Sequence, residues 1–470
     1  MRYTVVLVAL LASSSFGASP KGSDGGQGKK EEYRLIDRLF VPSSGVVIST
    51  TWNSLPGTSY RIRVSGTYQW GGCDPQNCPG GGACNFLRFG DAEHLTDDCW
   101  TSHFDNWSGL DISLFLDGAN VDWGAFNEGH TYSTTRQGTG KPFSFRINDC
   151  GPCYGDNEGS LQVEIYANAP PLACGPLGAQ VIDDTKEFTE FGKSCPRIMK
   201  WIAFGGKPKY EAMQAFKQQC PYSKTILRMY GEPGTYATGA ELWKARYSAL
   251  DSATAEQKAA IDYLESDNEC DAGPCHETLE KAEKYNTFLR QWIGYAVAAG
   301  FRPLIGNISV GNPSGDLDKP NCSGDAIQKF GKLVPAIQEA GKYGGGWGYH
   351  GYTPTFSQSV NQEQYYSLRY RRYVECFQAQ IGKVPLVLTE AGFDKGGNPD
   401  KDGYIENGGA AKYLKWLDWF QGELAKDAEV EGATLFTFAP EGQWSSFRLD
   451  PIQKKLSKLM ACPTRVPPPR

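Results

Sequence analysis

The pattern of apolar and polar residues changes part-way along the chain. Up to residue 167, apolar positions alternate with polar ones in short segments bounded by Gly, Asn and Asp, which is the period of half-buried β-strands. Beyond residue 171, short apolar runs alternate with longer amphipathic segments of helical period. The pattern predicts a multidomain chain, with an all-β sandwich over 33–167, a linker over 168–171 and an α/β region over 172–465.

The second region contains eight apolar runs of strand length. Helical segments separate them, among them TLEKAEKYNTFLRQWIGYAVAAG after the fourth run and AAKYLKWLDWFQGELAK after the seventh. Eight strand–helix units within about 290 residues predict a (β/α)8 TIM barrel. A doubly wound sheet is the alternative, but no GxGxxG motif follows any run. The predicted strands are GAQVI, RIMKWIAF, KTILRMY, AIDYLESDNE, FRPLIGNIS, GGWGYHGYTP, VPLVLTEAGF and GATLFTFAPE.

The first residues have the pattern of a secretory signal peptide. A basic start, an apolar run and a small-residue stretch occupy residues 1–18. The Gly- and charge-rich segment 19–32 predicts a disordered lead-in. Fourteen cysteines agree with an oxidising compartment, where disulfide bonds persist. We therefore expect a secreted, extracellular protein with disulfide bonds.

Charge and hydropathy exclude two classes of partner. The 47 Lys and Arg residues against 53 Asp and Glu residues give a formal net charge of −6, whereas a nucleic-acid binder needs a basic face. No apolar stretch beyond the leader approaches the ~18 residues of a membrane span. We therefore expect neither nucleic acid nor a membrane as a partner.

Polar side chains collect at the predicted carboxyl ends of the barrel strands, where TIM barrels carry their chemistry. Glu269 and Glu390 stand at the ends of the fourth and seventh predicted strands, on opposite sides of the barrel mouth and pointing inward. Two such carboxylates can act as an acid/base and as a nucleophile at an anomeric carbon. The other candidates, expected to bind substrate, are Arg228, Asn268, Asn307, His350, Tyr352 and Trp444.

The order of these residues resembles the clan A retaining glycoside hydrolases, and members similar to family 5 in particular. The resemblance implies that Glu269 is the acid/base and Glu390, in LTEAG, is the nucleophile, with no cofactor for catalysis. The roles that it implies for the others are a contact to the 2-hydroxyl of the −1 sugar for Asn268, hydrogen bonds to the nucleophile for Tyr352 and Arg228, lining for His350 and stacking for Trp444.

Two features depart from the family pattern. Met229-Tyr230 stand where a His is expected near the end of the third strand. Cys270, which we expect to pair with nearby Cys275, directly follows Glu269. The exact family and the substrate are therefore left open.

The predicted sandwich contains a second set of candidate ligands. Asp149, Asp156 and Asn157 stand in one Gly-rich stretch between two strands, RINDCGPCYGDNEGSLQVEIY. Clustered side-chain oxygens on a tight loop suit a hard cation such as Ca²⁺, although they are also ordinary turn chemistry.

The wider region, with GTYQWGG, GDAEH and that stretch, is similar to the bacterial galactophilic calcium lectins of the PA-I type. The resemblance implies a galactose-like sugar, contacted by His94, and a calcium ion. The ligands that it implies for calcium are Asp149, Asp156 and Asn157, with the carbonyls of Trp70 and Cys153. The insertion CDPQNCPGGGAC departs from these lectins near the expected sugar site, so the sugar specificity is open.

Together these patterns predict a secreted retaining glycoside hydrolase. It would act on β-linked polysaccharide or oligosaccharide by double displacement, behind a calcium-dependent carbohydrate-binding domain. Two alternatives stay open: a non-catalytic two-domain glycan-binding protein (a lectin or wall protein), and a transglycosylase that uses the same site. The intact carboxylate pair with its polar neighbours favours an enzyme.

Overall fold

The structure, a computed structural model of the 470-residue chain, describes residues 33–72, 87–96, 112–149, 153–167, 175–231, 235–317 and 320–461. The predicted leader (1–18), lead-in (19–32) and linker (168–171) lie outside these residues. Those that are described belong to one compact unit, Tyr33–Arg470. Among them, no helix combines the length and the apolar character that crossing a bilayer requires.

Two antiparallel sheets make up the described part of residues 33–167. Their strands are β1 (Arg34–Pro42), β2 (Ile48–Ser49), β3 (Ser59–Ser65), β4 (Tyr68–Gly72), β5 (Leu87–Gly90), β6 (Leu95–Thr96), β7 (Leu114–Leu116), β8 (Thr131–Gln137), β9 (Ser144–Ile147) and β10 (Glu158–Ala167). The larger sheet has seven strands, with β10 between β1 and β3, and the smaller has the order β2-β9-β7. The likeness of this region to a lectin stays a prediction.

The alternation in the sequence accounts for the core that these two sheets share. In β3, Tyr60, Ile62 and Val64 are buried, whereas the two arginines between them point to solvent. The buried set joins apolar residues of β7, β9 and β10 in one cluster. An alternating strand buries one face and solvates the other, which is why the period of two is visible in the sequence.

Eight parallel strands close into a barrel in chain order, which confirms the predicted (β/α)8 architecture. They are β11 (Leu177–Val181), β12 (Ile198–Ala203), β13 (Lys224–Met229), β14 (Tyr263–Glu265), β15 (Pro303–Ile308), β16 (Gly346–Thr353), β17 (Leu386–Phe393) and β18 (Val430–Phe438). The described residues of all eight strands are buried. Strands covered on both faces lose the alternation, so they are visible in the sequence as continuous apolar runs.

Helices connect the barrel strands. They are α1 (Lys186–Gly192), α2 (Tyr210–Gln219), α3 (Gly239–Leu242), α4 (Ala255–Ala259), α5 (Leu279–Ala298), α6 (Asp325–Gly331), α7 (Val334–Lys342), α8 (Val360–Glu363), α9 (Tyr370–Ile381), α10 (Tyr404–Asn407), α11 (Gly409–Leu424) and α12 (Gln453–Met460). Disulfide bonds join Cys195 to Cys220, Cys322 to Cys376, and Cys270 to Cys275, the last pair as expected.

The β region packs against the amino ends of the barrel strands. Asp37 on β1 accepts a 2.5 Å hydrogen bond from Nζ of Lys224, the first residue of β13. Thr51 hydrogen-bonds to Asp262, which directly precedes β14, and Arg302, which directly precedes β15, donates to the carbonyl of Ser49. The described part of the β region therefore covers the amino ends of these strands and does not block their carboxyl ends, where TIM barrels carry their active sites.

Four side chains at this junction, Asp37, Lys217, Lys224 and Asp262, form what we call the amino-end cluster. Asp262 receives Nζ of Lys217 at 2.8 Å and lies 4.0 Å from Nζ of Lys224. Burial by itself would raise the pKa of Asp262, but the positive charges of Lys217 and Lys224 outweigh it and hold that pKa well below its usual range. Every charge in the cluster has an opposite partner.

Candidate active site

A β-bulge aims Glu390 into the barrel mouth. Along β17, Val387 points into the barrel interior, so strict alternation would turn Thr389 inward and Glu390 outward. The pairing with β16 shifts register here: Tyr349 lies opposite Leu388, but His350 lies opposite Glu390. The extra residue reverses the alternation and places Glu390 beside His350 and Tyr352, as bulges next to active sites commonly do.

Three groups hold the Glu390 carboxylate, whose side chain is 10% exposed. The hydroxyl of Tyr352 donates to Oε2 at 2.9 Å, and Arg228 donates to Oε1 at 3.1 Å. Nζ of Lys200 lies 3.4 Å from Oε1. Both carboxylate oxygens are therefore hydrogen-bonded by groups that the barrel strands carry, and the expected contacts from Tyr352 and Arg228 are present.

This environment keeps Glu390 ionised. Burial alone would raise its pKa, but the charges of His350, Lys200 and Arg228, with the hydrogen bond from Tyr352, outweigh burial and lower the pKa of Glu390 to about 2. An ionised carboxylate that is oriented in this way has the state and the placement that a nucleophile needs.

Lys200 and Glu265, two buried charged residues close to Glu390, were not among the residues predicted from the sequence. Lys200 on β12 is fully buried and donates to Oε1 of Glu265 on β14 at 2.8 Å and to the carbonyl of Thr389 at 3.1 Å. We call Lys200, Arg228, Glu265 and Glu390 the carboxyl-end cluster. The available signal was a lysine inside the apolar run RIMKWIAF, because an unpaired Lys is almost never fully buried.

Glu269 lies in the loop that follows β14, and its side chain is 42% exposed. Its Oε1 lies 2.7 Å from Nδ1 of His350. The same nitrogen lies 3.8 Å from Oε2 of Glu390. The two carboxylates that the sequence placed on opposite sides of the barrel mouth are thus both close to one nitrogen of the His350 ring.

Asn268 and Asn307 make hydrogen bonds to groups next to the two carboxylates. Asn268 accepts a 2.8 Å hydrogen bond from Arg228. Asn307 is fully buried, and its side-chain amide donates to the backbone carbonyl of Asp267 at 2.9 Å. Its backbone carbonyl accepts from the backbone N–H of Glu269 at 3.1 Å. Asn307 therefore braces the Glu269 loop, and its side chain is not exposed at the barrel mouth.

An aromatic cluster forms the wall next to Glu390. Tyr352 packs with Phe436 at 6.5 Å between ring centroids, and Phe436 packs edge-on against Trp444 at 4.6 Å. Trp444 is half-buried, so part of its ring surface is open. A partly open indole close to a carboxylate site can stack on the apolar face of a sugar.

The candidate calcium ligands lie together where they are described. The amide of Asn157 donates to Oδ2 of Asp149 at 3.0 Å and to the carbonyl of Ser43 at 2.8 Å. Its Oδ1 is buried and has no hydrogen-bond partner among the described residues. β4, which carries Trp70, contacts the short helix Cys153–Asp156. The side chains of Cys153 and Asp156 lie outside what the structure describes.

His94, the expected sugar contact, is buried. Its Nε2 lies 2.9 Å from the carbonyl of Gly124, and its backbone N–H donates to Asp91 at 2.8 Å. Its ring also packs against Phe126 at 5.6 Å between centroids. The contact from His94 to a sugar stays a prediction.

The chain matches no protein-family model and no curated protein. Solved structures that it resembles include an endo-β-1,3-glucanase of glycoside hydrolase family 128 from Sorangium cellulosum, at 13% identity and a TM-score of 0.34 over 58% of this chain and 91% of that one. A family 113 β-1,4-mannanase gives 11% identity and a TM-score of 0.34 over 60% and 97%. A family 5 enzyme from Prevotella bryantii gives 11% and 0.35 over 59% and 87%.

Likeness at this level carries no functional argument. The fold and the site by themselves define a closed (β/α)8 barrel with two carboxylates at the carboxyl-end mouth. Glu390 is buried and ionised, and Glu269 is exposed.

Proposed function

We propose that the barrel is a retaining glycoside hydrolase acting on β-linked polysaccharide or oligosaccharide. One observation carries the proposal: Nδ1 of His350 lies 2.7 Å from Glu269 and 3.8 Å from Glu390. The two carboxylate oxygens can be no farther apart than these two distances laid end to end. That limit for Oε1 of Glu269 and Oε2 of Glu390 coincides with the lower end of the roughly 6.5–9.5 Å range of an inverting pair, so it agrees better with the separation of about 5–5.5 Å of a retaining pair.

In the first step, an oxygen of Glu390 attacks the anomeric carbon while the bond from that carbon to the leaving-group oxygen breaks. Glu269, exposed at the mouth, gives its proton to the departing oxygen. In the second step Glu269 takes a proton from water, the water oxygen bonds to the anomeric carbon, and Glu390 is released as a carboxylate.

The stereochemistry of azide rescue tests the assignment of the two residues. Glu269→Ala should abolish turnover of natural glycans, whose leaving groups need a proton, but spare the first step on an activated aryl glycoside. Azide should then accelerate the second step and give the β-azide product. Glu390→Ala should lose activity on both natural glycans and aryl glycosides. Azide that enters from the face vacated by the carboxylate should give the α-azide product.

The exposed strand-end carboxylate Glu441 offers a matched control, because its side chain has no part in the carboxylate pair. Glu441→Gln should therefore keep the parent activity. If the parent protein cleaved nothing on a broad polysaccharide panel while still binding glycans, the non-catalytic glycan-binding alternative would replace this proposal. Products longer than the substrate in the presence of acceptor sugars would instead favour the transglycosylase.

We also propose that the β region binds a calcium ion. The support is chemical: Asp149 and Asn157 are side by side, and Oδ1 of Asn157 is buried and accepts no hydrogen bond from the described residues. A hard cation prefers such oxygen ligands. The residues that would hold it are Asp149, Asp156 and Asn157, with the carbonyls of Trp70 and Cys153. A galactose-like ligand there remains a prediction.

Thermal melting of the full chain tests the calcium proposal. Saturating calcium should stabilise the protein by about 2.7 kcal/mol at a free concentration of 100 times Kd, and EDTA should remove this gain. Asp149→Asn should abolish the difference. Asp122→Asn, an exposed loop carboxylate of the same region, should keep it. Identical melting with calcium and with EDTA would refute calcium binding.

We propose further that the protein acts outside the cell. The support is the leader pattern in residues 1–18 together with the three disulfide bonds of the described residues. Recovery of the protein from the culture medium, with an amino terminus near residue 19, would agree with this; retention in the cytoplasm with an intact leader would contradict it.

A further inference from the structure

The backbone at the proposed acid/base lies in an unusual conformation. Glu269 has φ of +53° and Cys270 has φ of +61°, so two consecutive residues with side chains lie in the left-handed region. Each such residue is unfavourable unless its surroundings impose the conformation. The loop that carries Glu269 must therefore be held by contacts beyond its own backbone preference.

Besides the hydrogen bond from the N–H of Glu269 to the backbone carbonyl of Asn307, three further kinds of contact hold this loop. A disulfide bond joins Cys270 to Cys275, at a sequence separation of five. Asp271 and Asn268 form a reciprocal pair, in which the N–H of Asp271 donates to the carbonyl of Asn268 at 2.7 Å and the N–H of Asn268 donates to Oδ1 of Asp271 at 3.1 Å. Arg246 also lies 3.3 Å from each oxygen of Asp271.

The nucleophile is held quite differently. Glu390 lies within β17, and its contacts come from the strand residues Tyr352, Arg228 and Lys200. Arg228 also donates to Asn268 in the loop of Glu269, but the hydrogen bonds from Tyr352 and Lys200 to Glu390 involve no residue of that loop. A change in the loop should therefore displace the acid/base more than the nucleophile, which keeps its hydrogen bonds from Tyr352 and Lys200.

We propose that the Cys270–Cys275 disulfide is a positioning device for Glu269. It holds the left-handed backbone that directs the Glu269 side chain towards His350 and the leaving-group side of the site. This inference rests on the glycosidase function proposed above. The disulfide itself touches no reacting atom, so its cysteines are positioning residues.

The double variant Cys270→Ser/Cys275→Ser tests the device. Misplacing a catalytic group by about 1 Å can cost about 100-fold, so kcat/KM for substrates with poor leaving groups should fall roughly 10- to 100-fold. Release of an activated aryl leaving group, which needs no proton, should change little. The dependence of the rate on the leaving-group pKa should steepen, and azide should accelerate turnover as it does for Glu269→Ala.

Cys322→Ser/Cys376→Ser is the matched control. The sequence separation of that disulfide is 54, against five for Cys270–Cys275, so its loss should lower the melting temperature more. If disulfides act here only through stability, the control should lose more activity than the test variant. The proposal requires the opposite ranking, with the leaving-group dependence of the control unchanged.

The outcomes separate this inference from the proposed function. No cleavage by the parent protein would overturn the glycosidase proposal and this inference with it. Cleavage by the parent together with an unchanged leaving-group dependence in a folded Cys270→Ser/Cys275→Ser variant would overturn the positioning role alone. Should that variant not fold, mild reduction of the parent by a dithiol, followed by the same leaving-group series, takes its place.

Discussion

The two ends of the barrel each contain a buried set of charges, and the two sets are organised differently. In the amino-end cluster, Lys224 meets Asp37 and Lys217 meets Asp262, and no member is more than 9% exposed. In the carboxyl-end cluster, Glu390 faces Lys200 and Arg228. Beside it, across His350, Glu269 is 42% exposed.

The comparison separates a structural use of charge from a chemical one. Charges that only join two surfaces can all be buried in opposite pairs. Such pairs hold the surfaces together, because removing one partner leaves the other charge buried and unpaired. A site that transfers a proton needs one carboxylate within reach of substrate, while its neighbour stays ionised. Burial and pairing together, rather than either alone, distinguish the two ends.

The largest expected effect comes from removing the buried carboxylate at the carboxyl end. Glu390→Gln keeps the shape of the side chain but removes the attacking group, so kcat/KM for an activated aryl glycoside should fall by about 10⁴-fold or more. Steady-state kinetics checks this, with circular dichroism to show that the barrel is folded. Residual activity within about tenfold of the parent would contradict the assignment of Glu390.

The same kind of change at the amino end should affect stability instead of turnover. Asp262→Ala leaves Lys217 and Lys224 short of a buried partner, and we expect the free energy of unfolding to fall by about 3–5 kcal/mol. Below the new melting temperature, kcat should match the parent. Urea denaturation measures the loss, and Glu190→Gln, in an exposed pair with Lys193, should show none. A lowered kcat in folded Asp262→Ala protein would show that the two ends are coupled.

Acidification should remove the stabilising contribution of Glu390 over a defined pH range. Its pKa is about 2 in the folded chain against an ordinary value of 4.5, so its ionised form stabilises the fold fully above about pH 4.5. That contribution, about 3 kcal/mol, is lost as the pH falls through the folded pKa. The urea midpoints of the parent and of Glu390→Gln should converge between pH 5 and about pH 2. A constant difference across this range would contradict the lowered pKa.

The smallest expected effect on turnover concerns Lys200. Lys200→Met removes one of the positive charges that lower the pKa of Glu390, so the acid limb of the kcat/KM profile should move up by about one pH unit. Lys193→Met, which removes an exposed lysine, should leave that limb unchanged. An acid limb that did not move in Lys200→Met would place Lys200 with the structural charges of the amino end.

Much of the barrel could be predicted because its signal is local. All eight predicted strands are present in the barrel. They could be predicted because a strand that is covered on both faces is a continuous apolar run in the sequence. The order of polar residues at the strand ends was equally visible, and Glu269, Glu390, His350, Tyr352 and Arg228 do lie together.

What could not be predicted depends on contacts distant in sequence. The inward direction of Glu390 was expected from its place at a strand end, but the register shift between β16 and β17 that produces it is not revealed by alternation within one strand. The amino-end cluster joins Asp37 to Lys224, 187 positions apart, so neither residue carries a local sign of its partner. Asn307 was expected to bind substrate from its place at a strand end; its hydrogen bond to the Glu269 loop depends on a contact that the sequence does not show, and the substrate contact itself stays a prediction.

The packing of the β region on the barrel limits how such a protein can be rearranged by recombination. Modules joined by a flexible tether can be exchanged freely, because neither surface is adapted to the other. Here a barrel cut away at residue 172 would expose Lys224 and Asp262 without Asp37 and Thr51, and a foreign module would have to supply matching charges. The two parts should therefore be inherited together, and the unit for expression or for building chimaeras is the whole of residues 33–461.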